Sequence, residues 1–168
     1  MEKSRRKNFT ITTKNQIMKN KIFNTSESLA PLAIRVMLGL VVFPHGAQKL
    51  LGWFGGYGFS GTMGFFTDTI GLPWLVGFLV IILESIGAFA LISGFATRIV
   101  AVCYLILALG IVFTSHIQHG FFMNWFGNQQ GEGYEYFILW IGMAVSLIIT
   151  GAGKYSIDGK FISKNASA

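Results

Sequence analysis

The chain has 168 residues, 52% of them hydrophobic and only 12% charged, with a formal net charge of +6. Soluble domains carry about 25% charged residues, so this composition excludes an ordinary soluble domain and makes a lipid bilayer the expected solvent. Spans of about 20 apolar residues use up most of the length, which excludes a second globular domain.

The first thirty residues hold Lys3, Arg5, Arg6, Lys7, Lys14, Lys19 and Lys21, seven of the thirteen Lys and Arg. That clustering suits a basic cytoplasmic tail over residues 1–30 and argues against nucleic acid as a partner. No apolar core or small-residue cleavage site accompanies it, so a secretory signal is not expected; an organellar transit peptide shares its basic, acid-poor composition. A transmembrane domain follows over residues 31–152, then a short cytoplasmic tail over residues 153–168.

Four apolar runs predict transmembrane helices at Pro31 to Leu51, Pro73 to Ser93, Ile99 to Ser115 and Tyr136 to Ala152. Pro31 and Pro73 suit first-turn positions, where a missing N–H costs nothing. Flanking cations concentrate in the N-terminal tail, the Gly94 to Arg98 turn and the C-terminal tail, and the loops after the first and third runs have none. The expected fold is therefore an all-α, polytopic four-helix transmembrane bundle with both termini inside. Trp53, Trp74, Trp125 and Trp140 all lie at or toward the outer end, where glycine-rich aromatic loops could roof a pocket. GLVVFPHG from Gly39 with GWFG from Gly52 echoes GIVFTSH from Gly110 with NWFG from Asn124. Either this is a tandem two-helix repeat, or it is coincidence in apolar sequence.

Ionisable groups inside a span each cost at least about 2.5–3.5 kcal/mol and need a partner or a hydrated cavity. Glu84 is the clearest, standing midway along the second run after fifteen uncharged residues. In the first run Arg35, His45 and Lys49 fall within an arc of about 80° at 100° per residue, forming one polar stripe. Arg35 and Lys49 can reach the two membrane surfaces, which leaves His45 stranded beside Pro44. Depth matching pairs Glu84 with His45 or, lower down, with Arg35. Such a pair either glues helices together or relays protons and holds a polar head group, with Glu84 and His45 as the catalytic candidates.

His116 and His119 end the third run, and Glu132 and Glu135 open the fourth. Their types suit a metal but their spacing does not, so no metal site is assigned and the two histidines stand only as weak candidates. Cys103 lies alone in an apolar run and reads as a packing residue.

RVMLGLVVFPHGAQKL from Arg35 to Leu50, Glu84, GEGYE from Gly131 to Glu135 and GAGKYSID from Gly151 to Asp158 together resemble the DoxX family of small bacterial membrane proteins. The resemblance covers about Pro31 to Asp158. It implies a multi-pass protein of the bacterial inner (cytoplasmic) membrane, tied to quinone-linked oxidation of sulfur compounds or to oxidative-stress assemblies through soluble redox partners. Arg35, His45, Lys49, Glu84, Glu132 and Glu135 carry over as motif positions. With Trp53 they are the expected quinone-binding candidates, and quinone is the implied cofactor. The rival expectations are a non-enzymatic scaffold for partner proteins and a small-solute transporter, the latter requiring a homo-oligomer because four helices enclose little lumen. Membrane lipids are partners on every reading.

Overall fold

The computed structural model describes residues 25–166, with side chains described through Phe161. The basic tail expected over residues 1–30 falls almost wholly outside them. The described residues are helical, without a strand. Helix α1 spans Ala30–Leu51 with Pro31 in its first turn and Pro44 inside it. It stops at Gly52, whose left-handed φ of 74° lets its N–H close back on the Ala47 carbonyl. A 3₁₀ turn at Trp53–Gly55 leads to α2, Gly58–Gly64, which runs on through a π-helical turn at Phe65–Thr69.

Helix α3 runs from Trp74 to Ser93 and contains a π-helical turn at Leu83–Gly87. Helix α4 starts at Thr97 and continues through a second interior π-helical turn to His119. Helix α5 is Glu135–Thr150, and α6 is Ile157–Ala166. Three helices (α1, α3 and α4) are long and apolar enough to cross a membrane. Helix α5 is apolar but shorter, 16 residues or about 24 Å at 1.5 Å per residue. The expected four-helix bundle is present, each helix within a few residues of its predicted bounds.

The helices form two consecutive hairpins, α1 with α3 and α4 with α5, an arrangement that fits the echo in the sequence. The outer connections differ between them, since only the first contains a helix. The core is stitched from Leu38 and Val42 on α1, Leu91 on α3, Ala101, Tyr104 and Ala108 on α4, and Phe137, Trp140, Ala144 and Leu147 on α5. These recur at three- and four-residue steps, one face per helix, and the alanines let backbones approach closely, as packing in lipid requires.

The segment placed in a C-terminal tail from residue 153 begins inside the fold. Gly153, Ser156 and Asp158 are buried, and Asp158 closes the inner end of the bundle. Its carboxylate accepts from Ala96 N–H at 2.7 Å and Thr97 N–H at 2.9 Å, capping the start of α4 from 61 residues away. The short outer helix α2 lies along the outer part of α3: Met63 and Phe66 close on Gly77, Phe59 meets Phe78 edge-on, and Trp74 stacks on Phe78.

Candidate functional site

Glu84 lies in the π-helical turn of α3 and is 3% exposed. Its partner is Lys49, whose Nζ stands 2.5 Å from Oε2. Neither expected pairing, with His45 or with Arg35, is the one that forms. The reason is the register between α1 and α3. At Gly46 the helices meet so closely that a Cβ would overlap the Glu84 carbonyl, and Ser85 Oγ donates to the Gly46 carbonyl at 3.3 Å. Lys49 then sits one turn, about 4.5 Å, above Glu84 and reaches down to it. Reading α1 alone placed Lys49 at the outer surface. The contact with α3 instead turns its ammonium to Glu84, leaving the side chain 24% exposed.

Turns of π type leave backbone groups outside the regular ladder and are often found at functional sites. Here the Tyr104 hydroxyl of α4 donates to the Leu83 carbonyl at 3.2 Å, and the single Ser85 hydroxyl hydrogen is shared between the Ile81 carbonyl at 2.6 Å and the longer contact to Gly46. The turn is thus held from α1 and α4 while it presents Glu84 to Lys49. His45 belongs to the same neighbourhood, electrostatically coupled to both Lys49 and Glu84. It is exposed on the outer face of α1. The centre consequently grades from a buried carboxylate through a lysine whose side chain is 24% exposed to an exposed histidine.

Arg35 belongs elsewhere. It is 1% exposed at the inner end of α1, and its guanidinium donates to the carbonyls of Leu91, Ile92, Ala152 and Tyr155. Five donors in a rigid fork suit this cage of helix-end carbonyls. Asp158 adds charge compensation. Gly94, at φ 71°, lets the guanidinium pass: a Cβ there would lie 3.1 Å from Arg35 Cζ and 2.6 Å from Ser156 Cβ. The polar stripe of α1 therefore divides into an inner lock at Arg35 and an ionic centre at Lys49 and His45.

The outer acidic residues organise a loop. Glu132 Oε2 accepts from Asn124 N–H at 2.7 Å, its carbonyl pairs with His116 Nδ1 at 2.8 Å, and Glu135 Oε1 accepts from Trp125 Nε1 at 3.0 Å. His119 lies against Gly131. Among the described residues no three His, Cys, Asp or Glu side chains converge on a point that could hold a metal ion. Trp53 is 54% exposed, with its ring edge-on to Phe54.

Two features, one at the ionic centre and one at the inner lock, escaped sequence reasoning. Tyr104 and Tyr136 both lie within the field of the Glu84 carboxylate. Their only signal was a tyrosine in an otherwise apolar helix, where a phenol wants a partner. Asp158 carried a plainer one, as the single carboxylate after Glu135.

Residues 30–117 match the family model described as DoxX. Over 135 residues the chain is 30% identical to a Bacillus subtilis (strain 168) protein named "Putative oxidoreductase CatD", an overlap covering 80% of this chain and 89% of that one. No solved structure matches the chain. The family match runs through Arg35, Lys49 and Glu84 alike, and the chain belongs to the DoxX family of multi-pass membrane proteins.

Proposed function

We propose that this chain is the membrane subunit of a quinone-linked oxidoreductase in the bacterial cytoplasmic membrane, with Glu84, Lys49 and His45 as its proton-handling centre. One observation carries the reading: a buried carboxylate, held in a π-helical turn, is paired with a half-buried lysine one helical turn beyond the exposed His45. Intramembrane ionisable groups in such settings mark ion or substrate paths. The relative named as an oxidoreductase supports the reaction class.

The donor set fits a quinone head. Of the three Lys49 ammonium hydrogens, one is taken by Glu84, which leaves two to meet a ring carbonyl. A bound quinone supplies an acceptor of two electrons, delivered by a soluble redox partner protein, and two protons. Glu84 holds the lysine ammonium in place. Lys49 would donate a hydrogen bond to a ring carbonyl oxygen and hand it one of the two protons that reduction takes up, the other coming from solvent water. His45, at the exposed edge, returns a proton to the centre.

The ion pair closes within one chain, which also favours a scaffold in which it only fastens α1 to α3. Mass spectrometry of lipids and proteins that co-purify from native membranes in mild detergent separates the two. Quinone and a soluble redox enzyme at near-stoichiometric yield are expected; lipid alone, in several detergents, would leave the scaffold.

A further inference from the structure

From Gly151 to the C-terminus the sequence holds three lysines, Lys154, Lys160 and Lys164, and one acid, Asp158. Asp158 is turned into the bundle, where it caps α4. Lys154 and Lys160 are turned outward, and among the described residues the inner end sets one exposed carboxylate against them, Glu27. The segment thus spends its negative charge inside and shows its positive charge outside.

The same outward surface is apolar. Tyr155 is 73% exposed, Ile157 37% and Phe161 52%. At 100° per residue, Ile157, Lys160 and Phe161 fall within an arc of about 100° on α6, while Asp158 faces away from them. Tyr155 stands in the left-handed region at φ 56°, which a residue with a side chain seldom adopts. Its carbonyl is held by the Arg35 guanidinium at 2.9 Å, and the Lys154 N–H is held by the Ser28 carbonyl at 3.0 Å. This pinned backbone presents the phenol ring outward, with the Lys154 ammonium 5.2 Å from its centre.

Only residues 151–156 separate α6 from the end of α5, so α6 lies where the spans leave the bilayer. Water there would leave the rings and aliphatic groups unburied, and the bilayer core would strand the ammonium groups. The headgroup layer matches both, because apolar side chains reach the acyl boundary while lysines meet phosphate.

We propose that the outward face of α6, together with Lys154 and Tyr155, is a binding site for the headgroup of an anionic phospholipid in the inner leaflet. The two ammonium groups take the phosphate oxygens, and Tyr155, Ile157 and Phe161 sit among the glycerol and first methylene groups. The buried side of the same segment caps α4 and cages Arg35. A headgroup bound outside therefore holds α6 against the bundle, and its presence is readable at Ala96 and Thr97. The site does not depend on the function proposed above.

The test places the full chain in nanodiscs of phosphatidylcholine alone or mixed with phosphatidylglycerol, and counts retained lipid by native mass spectrometry after release into mild detergent. We expect phosphatidylglycerol to be retained over phosphatidylcholine, and hydrogen exchange at Ala96 and Thr97 to slow in its presence. Each lysine at an anionic surface contributes about fivefold in affinity, so Lys154→Gln with Lys160→Gln should lower retention on the order of 25-fold. Phe161→Ser, which keeps the charge, should lower it several-fold. Both lysines are exposed, so helical content by circular dichroism should not change. Lys3→Gln with Lys7→Gln removes equal charge from the N-terminal tail and should leave retention as it was. An equal loss in that tail variant would show only a diffuse basic surface and would overturn the proposal. So would equal retention of the two lipids, or the same protection at Ala96 and Thr97 from inorganic phosphate added to phosphatidylcholine nanodiscs.

Discussion

Lys49 reaches Glu84 at 2.5 Å because Gly46, one turn earlier on α1, packs directly on the backbone of the turn that carries Glu84. A residue with no side chain thus decides which cation meets the buried carboxylate. In low dielectric, breaking such a pair from one side costs far more than removing both charges. Lys49→Met should destabilise the protein by about 3–5 kcal/mol, and Lys49→Met with Glu84→Met by much less. Thermal unfolding in detergent, run as a double-mutant cycle, reads the coupling; additive effects would mean the pair does not form.

Gly46→Val is expected to push α1 off α3 at that point. Overpacking costs about 1–3 kcal/mol, and here it should also part Lys49 from Glu84. Crosslinking between cysteines placed on the two helices would report the separation, and an unchanged crosslinking pattern would refute the register.

His45 is exposed and, among the described residues, has no hydrogen-bond partner. His45→Gln should therefore shift stability by no more than about 0.5 kcal/mol while slowing partner-dependent quinone reduction. A variant as active as the parent would remove His45 from the centre.

Arg35→Lys exchanges a five-donor fork for a three-donor point charge among at least four carbonyls. The loss is expected at about 3 kcal/mol. Asp158→Ala, which uncaps α4 and removes a neighbouring charge, should cost about 2 kcal/mol. Neither should alter quinone affinity in protein that remains folded. Hydrogen exchange at Ala96 and Thr97 would show whether the α4 cap has opened.

The helices and the importance of Glu84 are legible in the sequence, because a bilayer demands long uncharged runs and makes every exception visible. What is not legible is how far one helix slides along its neighbour. Depth counted from the ends of α1 put Lys49 at the surface and pointed to His45, whereas a glycine contact internal to the bundle set the true register. The π-helical turn is equally hidden, since a single extra residue in a helical turn leaves the apolar pattern of α3 intact. Asp158 and the carbonyl cage of Arg35 were missed because they assemble over more than 60 residues of sequence. There the motif GAGKYSID marked structure that only the packed inner end explains.

The most direct measurement is partner-dependent quinone reduction in native membranes carrying Glu84→Gln alone and Glu84→Gln with Lys49→Gln. The double variant restores neutrality, so folding and insertion should recover. Our account predicts that activity stays lost in both variants. Recovery of activity in the double variant would contradict it, showing that the charges only hold α1 against α3.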